Sequence, residues 1–318
     1  MKISRNGLSV LLAALLVVGM VSAVYGAEKH LTVATASMGG AFYPIGNGIA
    51  EVVNKHVPGL KVTAEVTGGS TENPRLVGSA QSDIGICNAN HAYEAREGVP
   101  PFQQKFDVVA IGALHGSVLH IVTLEKTGVK TVSDLKGKRI AAGPAGGGSV
   151  PVFKAVLSVF DDVKFEDLKC SYVSYSDGVT SLKDGNAAAA LVTAGVPAAA
   201  VMELGVTDKV KFVSIPDDKL DALTKKYPYY NVVHIPTSLY KTDKDEKVVG
   251  VNNLLIVNSK MDEKTAYDIT KAIYSHLEEL ATYHASIKEV KLEQAAKVAG
   301  VPLHPGAAKF FKEKGLIK

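Results

Sequence analysis

Short apolar runs alternate along this chain with stretches in which apolar residues recur every three or four positions. Residues 31–34 read as a strand, after which Ile45, Ile49, Val52, Val53 and Val57 share one helical face that stops at Pro58-Gly59. Residues 60–66 alternate as a second strand, and Leu76 and Val77 mark the inward side of a helix in which Pro74 is tolerated only in the first turn. Ser70 or Thr71 is the expected cap of that helix. Residues 82–87, 108–114 and 118–124 read as three further strands, with the polar set Asn88, Asn90 and His91 at the end of the first. Strands alternating with helices argue for a parallel α/β sheet.

The pattern then restarts. Residues 128–139 are polar and turn-rich and mark a crossing into a second lobe. A strand at 139–142 leads through Gly143-Pro-Ala-Gly-Gly-Gly-Ser149 into a helix at 150–160, with Ser149 the expected cap. A strand at 171–173, a helix at 177–183, a buried strand at 187–192 and another strand at 211–215 follow. Residues 227–236 are irregular, 248–257 form a long returning strand, and 265–280 an amphipathic helix; the last helix ends at Gly315. The expected organisation is lobe I from 27–124 and 249–318, discontinuous, and lobe II from 125–248. Each half carries strand, glycine loop and helix twice.

Residues 1–26 stand apart. Lys2 and Arg5 precede an uncharged apolar stretch and then small residues, the layout of a secretory signal peptide cleaved after Ala23 or Gly26; an uncleaved anchor is the alternative. No cysteine lies near the cleavage region, which argues against lipid anchoring and for a free protein in the periplasm. The formal charge of +3 falls to +1 once Lys2 and Arg5 are removed, since no acid leaves with them. A near-neutral chain gives no electrostatic case for nucleic acid. About 290 remaining residues suit two domains of ordinary size. Cys87 and Cys170 fall in different expected lobes and read as two buried free thiols. The nine histidines show no metal-ligand spacing, so neither metal nor cofactor is expected.

In open α/β sheets ligands bind beyond the carboxyl ends of the strands, and a helix start there offers free backbone N–H groups to an anion. Four glycine loops facing one another across two lobes would supply such groups together with Ser37, Ser70, Asn73, Ser149 and Thr193. Asn90 and Gly195 sit at further strand ends. That inventory suits a carboxylate held without formal charge pairing. Enzymatic readings are weaker. Gly146-Gly-Gly-Ser149 lacks the lysine of a phosphate-binding loop, Gly69-Ser-Thr71 is no nucleophile elbow, and Gly46-Asn-Gly48 falls inside a helix. His91 reads as a hydrogen-bonded surface histidine and His304 as a turn residue. Tyr227, Tyr229 and Tyr230 either line a pocket or pack a lobe.

Taken together, the loop from Thr35 to Pro44, Val66-Thr-Gly-Gly-Ser-Thr-Glu-Asn73, Gln81-Ser-Asp83, Asp134-Leu-Lys-Gly137, Gly195-Val-Pro197, Tyr227-Pro-Tyr-Tyr230 and Pro302-Leu-His-Pro-Gly-Ala307 resemble the TAXI family. These are the extracytoplasmic solute-binding subunits of TRAP (tripartite ATP-independent periplasmic) transporters, and the match runs in order over the mature chain. The resemblance implies a type II periplasmic-binding-protein fold: two α/β lobes, a two-strand hinge and an interlobe ligand cleft. It implies a monomer that captures glutamate, 2-oxoglutarate or a related dicarboxylate. Delivery would be to large and small TRAP membrane subunits, separate or fused, driven by sodium. By the family pattern the ligand touches Phe42 and Tyr43, Ser70 and Asn73, and Gly147, Gly148 and Ser149. Ala36, Ser37 and Phe42 depart from the family's glycines and tyrosine, and Gly146-Gly-Gly-Ser-Val150 from its usual second-lobe loop.

Overall fold

The computed structural model describes residues 28–298 and 300–318; the expected signal segment lies outside them. Ten strands form one mixed sheet: β1 (Lys29–Ala34), β2 (Leu60–Glu65), β3 (Ile84–Asn88), β4 (Val108–Thr123), β5 (Arg139–Ala141), β6 (Lys169–Ser171), β7 (Ala189–Ala194), β8 (Lys211–Phe212), β9 (Tyr230–Ile235) and β10 (Glu246–Asn258). The order is β2-β1-β3-β10-β4-β7-β5-β6, with β8 beside β4 and β9 beside β10. β1 runs parallel to β2 and β3, and β5 parallel to β6 and β7. Each half is therefore a small parallel sheet, and the two are joined through β4 and β10, which pair antiparallel to each other.

The expected strands at 108–114 and 118–124 are one strand. β4 continues through the intervening His115, Gly116 and Ser117, of which only Gly116 is half-buried and the other two are buried, so nothing at that point forces the chain out of the sheet. β10 changes partner partway along: Glu246–Val251 pair with β9, whereas Asn253–Val257 pair with β3. The register of β4 against β10 shifts between Asn252 and Leu254, as a bulge does where a strand is bent. The apolar cores divide at the same level. Leu114 and Leu254 belong to cores on one side, and Val118 and Val251 to cores on the other. That level lies inside both long strands, upstream of residue 124 and downstream of residue 248.

Asn253 occupies the crossing and is completely buried. Its amide donates to the His115 carbonyl (2.9 Å), to Ser117 Oγ (2.8 Å) and toward His115 Nε2 (3.1 Å), and its Oδ1 accepts from Asn88 Nδ2 (2.7 Å). One side chain thus ties β3, β4 and β10 together where backbone pairing is irregular.

The helices lie on both faces: α1 (Phe42–His56), α2 (Asn73–Gly78), α3 (Ala89–Glu97), α4 (Ser149–Leu157), α5 (Tyr175–Lys183), α6 (Ala199–Thr207), α7 (Asp217–Lys226), α8 (Glu263–Ser275) and α9 (Pro305–Glu313). α1 buries Ile45, Ile49, Val52 and Val53, the stripe the periodicity marks. Three caps are side-chain made: Ser174 for α5, Asp262 for α8 and His304 for α9. The expected caps at Ser70, Thr71 and Ser149 are not used as caps, because α2 begins after Glu72 and Ser149 is already its helix's first residue. α8 ends at Ser275, not 280, since His276 leaves helical geometry and a separate turn, Leu277–Leu280, returns Leu280 to the core. The strand expected over 211–215 shortens to β8. Cys87 is buried and Cys170 only half-buried, both free, so only the first is the buried thiol expected. Among the described residues no helix is long and apolar enough to cross a membrane.

Replacing Asn253 by Ala removes four hydrogen bonds and strands the Asn88 amide. Urea titration should show a stability loss of about 2 kcal/mol or more, on the scale of 1–3 kcal/mol per buried group left unpaired. A variant as stable as the parent would mean the crossing is held by the strands alone.

Candidate functional site

The carboxyl ends of β1, β3, β5 and β7 point at one seam between the halves, and the glycine loops fill it. The Thr71 and Glu72 N–H groups donate to the Gly146 carbonyl (2.9 and 3.3 Å), and the Ala200 N–H donates to the Gly39 carbonyl (3.0 Å). These backbone contacts close one half on the other. They need bare backbone: a Cβ on Gly68 would stand 3.0 Å from the Gly146 Cα, and one on Gly148 only 2.3 Å from Asn88 Oδ1.

Two spaces flank this contact. The inner one is about 10 Å³, room for about one water. Phe42, Ser70, Asn88, Gly148, Tyr175 and Thr193 line it, with Ala36, Gly147 and other loop residues completing the wall. The starts of α1 and α4 reach it from opposite halves through Ala41 and Gly148, and neither has an acid in its first turn. First-turn N–H groups there lack intrahelical acceptors, and the two dipoles present positive ends to the same point. The outer space is far larger, about 1010 Å³, and opens to solvent between α2 and α3 on one side and α4 with Tyr227, Tyr229 and Tyr230 on the other. Size favours the outer chamber as the binding site, but the strand ends, helix starts and hydroxyls converge on the inner one. The inner space is the better site, and the outer chamber lies across the loop contact from it.

Most expected contact residues gather here. Phe42, Ser70, Gly147, Gly148 and Thr193 line the inner space. Ser149 is buried just behind them; its Oγ accepts from the Thr193 N–H (3.1 Å) and shares a hydrogen bond with the Tyr175 hydroxyl (3.0 Å). Burial raises the Tyr175 pKa, so it stays a neutral donor. Ser37 sits beside Ala36, with its Oγ buried and unpartnered.

Others are placed differently. The amide of Asn73 donates to the carbonyls of Ala34, Thr35 and Ile86, and its Oδ1 accepts from Thr67 Oγ1 (2.7 Å). Its amide N–H groups are spent within the protein and none is left to donate to an anion; Asn73 fastens β1 to β3 and α2. Asn90 lines the outer chamber instead, while Tyr43 and Gly195 border neither space. Gly195 packs against the His115 ring. Sequence reasoning missed Asn88 and Tyr175. Asn88 carried a signal, since it ends a buried strand opposite a glycine loop, whereas Tyr175 is one aromatic at a helix start among many.

His91 is fully buried rather than on the surface. The Asn88 N–H donates to Ser70 Oγ (2.7 Å), which also shares a hydrogen bond with His91 Nδ1 (2.7 Å). His91 Nε2 lies on the far side of the ring, 4.0 Å from Glu94 Oε2. Burial holds the His91 pKa down at about 3 and pushes that of Glu94 up to about 7, against the hydrogen bond it accepts from Asn90. His115, buried beside His284, is likewise lowered to about 3. Among the described residues, the buried polar atoms without a partner are Ser37 Oγ, Asn88 Oδ1, Asn90 Oδ1, His91 Nε2, Glu94 Oε2, His115 Nδ1 and Thr193 Oγ1. Asn90, His91 and Glu94 lie on α3, beside the outer chamber, and the others at the seam or at the crossing of β4 and β10.

Comparison with known proteins places this geometry. The profile of the NMT1-like family matches residues 33–315. Among solved structures the chain is similar to MatC from Rhodopseudomonas palustris with bound malate, at 12% identity and a TM-score of 0.57, over 91% of this chain and 99% of that one. It is similar to a structure described under glutathione import via GshT and the cystine ABC importer TcyBC of Streptococcus mutans (15%, TM-score 0.51, 87% and 97%). A third is the alkanesulfonate-binding protein SsuA from Xanthomonas axonopodis pv. citri bound to MOPS (13%, 0.50, 90% and 84%). At these identities the likeness establishes the fold: the two-lobed periplasmic-binding-protein architecture.

The pKa shifts fix a pH dependence. His91, His115 and His120, held down at about 3, 3 and 4 by burial, bind protons in the unfolded chain as pH falls below about 6.5 but not in the folded one. Their contribution is present above 6.5 and is lost on acidification. Glu94, raised to about 7, works oppositely: its contribution is full below about 4.5 and lost as pH rises through 7. Urea titrations should therefore show lower stability at pH 5 than at pH 7, and Glu94→Gln should steepen the drop. An unchanged or shallower drop in the variant would contradict the burial of Glu94.

Proposed function

The chain belongs to the NMT1-like family, and from that premise we propose that it is an extracytoplasmic solute-binding protein for a small organic anion. The observation that carries this reading is the meeting of two helix N-termini, from opposite lobes, at an inner space bordered by the unpartnered Thr193 hydroxyl. Helix starts favour negative charge, and a carboxylate accepts hydrogen bonds from backbone N–H groups and hydroxyls without a cationic side chain. No lysine or arginine lines the inner space. The ligand enters the open cleft and the lobes close over it, pivoting where β4 and β10 exchange partners near Gly116 and Asn252. Lobe I then comprises the chain up to that level of β4 and beyond that level of β10, and lobe II the segment between.

The protein acts by capture and delivery rather than by turnover. Ser70 and His91 are hydrogen-bonded, but the imidazole faces the serine through Nδ1 and is kept neutral by burial, with Glu94 4.0 Å beyond. The TAXI-like motifs support delivery to the large and small membrane subunits of a sodium-driven TRAP transporter in the periplasm, with glutamate, 2-oxoglutarate or a related dicarboxylate as cargo. MatC, of the same fold, is described with bound malate, which joins that set. An ABC importer is the second reading for the partner, since the cystine importer TcyBC is named with a similar structure.

Calorimetry against malate, 2-oxoglutarate, glutamate and neutral sugars should give sub-millimolar binding to at least one carboxylate and none to the sugars. Thr193→Val should weaken it about tenfold, the equivalent of 1.4 kcal/mol, whereas Asn73→Ala should act on stability first. Absence of binding to every carboxylate would remove the anion reading. Uptake in vesicles carrying the partner subunits, powered by a sodium gradient or by ATP, separates the two transporters.

A further inference from the structure

A second concavity lies on the opposite edge of lobe II from the seam. β5 and β6 begin there, at Arg139 and Lys169, and β7 follows Ala187 and Ala188. The concavity measures about 500 Å³ and is lined by Lys126, Lys138, Arg139 and Lys169 with Gly137, Gly185 and three other small or hydroxyl residues. Four cations and no acid face one space. None of the four makes an ion pair within 4.0 Å among the described residues, although most ion pairs of the molecule are lysine to carboxylate.

The nearby acids are engaged elsewhere or turned away. Asp167 pairs with Lys136 and Glu125 with Lys211, and Asp184, next to Gly185, does not line the space. Lys126 Nζ donates to the Lys183 carbonyl (2.6 Å) and Arg139 Nε to the Asn186 carbonyl (2.9 Å). Those bonds hold both stems against the wall and leave the terminal guanidinium nitrogens of Arg139 without a protein partner. Among the described residues the side chains of Lys138 and Lys169 have no partner. Backbone N–H groups in the wall are already used: Gly137 bonds Asp167, Lys169 bonds Lys138 and Ala188 bonds Arg139. Recognition here rests on side-chain charge. Gly137 and Gly185, both at positive φ with open space where a Cβ would stand, leave the floor bare.

Like charges gathered in one concavity repel one another and focus field toward an anion, and a chain of formal charge +3 does not impose such a cluster by bulk composition. A guanidinium fork beside three ammonium groups matches a phosphate better than a single carboxylate. We propose that this basic concavity binds a polyvalent, phosphate-bearing anion, independently of the ligand in the seam. The phosphate is either a phospholipid headgroup at a membrane surface or a free soluble species, and the chemistry of recognition is the same for both.

The test uses the full chain and Lys138→Glu/Lys169→Glu, with Lys61→Glu/Lys312→Glu as an exposed control of equal charge change. Binding of inorganic pyrophosphate is followed by calorimetry, and flotation is followed with vesicles of phosphatidylcholine alone or mixed with phosphatidylglycerol, all at low salt. We expect the first double variant to lose at least tenfold in pyrophosphate affinity while the control keeps it and both melt like the parent. Flotation with phosphatidylglycerol vesicles that the first variant loses identifies the headgroup as the source; pyrophosphate binding without flotation identifies a soluble phosphate. Failure of the parent to bind in both arms, or equal loss in the control, overturns the proposal. Carboxylate binding in the seam is unaffected by either double variant, so the outcome is separate from the function proposed above.

Discussion

Two strands are shared by both lobes, and everything else depends on how they are shared. β4 and β10 must stay paired along their length, yet each must serve a different neighbour on either side of one level. A sheet resolves such a conflict with a bulge, and a bulge leaves polar backbone inside the protein. Asn253 answers that demand by standing in for the missing ladder, reaching β3 and β4 from β10. The same side chain, through Asn88, touches the wall of the inner space. The pivot and the site are therefore one hydrogen-bonded structure.

The seam itself is poorly satisfied, and this is what binding can use. A buried donor or acceptor without a partner costs about 1–3 kcal/mol. Among the described residues, seven such side-chain atoms lie at the seam, at the crossing of β4 and β10 or on α3 beside the outer chamber. A closed state without a ligand carries that cost, and a bound solute that pairs with some of these groups removes part of it. Differential stabilisation of the closed state is the only means by which a ligand shifts a conformational equilibrium. The neutral histidines fit the same picture, because a charged imidazole beside these groups would repel the positive ends of the helices.

How much of this was legible in the sequence depends on the kind of signal. The alternation of strands and helices, the core stripe of α1 and the return of the chain through β10 follow from periodicity, which is local. The division between lobes is not local: nothing in Val118–Thr123 distinguishes a strand that ends from one that continues into another neighbour's sheet. The glycine loops were readable as a class, and Phe42, Ser70, Gly147, Gly148 and Thr193 do line one space. What each polar residue does once there was not readable. Asn73 and Asn88 are the same residue type, each near a glycine loop. One spends its whole amide on three carbonyls and a threonine, and the other keeps an oxygen facing the seam. Only the three-dimensional positions of neighbouring carbonyls decide between them. His91 was misplaced for a similar reason, since its burial depends on how α3, which carries it, packs against the loop at Ser70.

The contact that closes the seam is made almost wholly of main chain: N–H groups of Thr71, Glu72 and Ala200 on the carbonyls of Gly146 and Gly39. Side chains at Phe42, Asn88, Tyr175 and Thr193 take no part in those bonds. The fastening and the recognition surface are thus separable in heredity. Point changes in the lining can move a descendant of this protein from one cargo to another while the machinery of closure is inherited intact. The glycines pressed together at the seam, by contrast, are the positions at which such drift must stop.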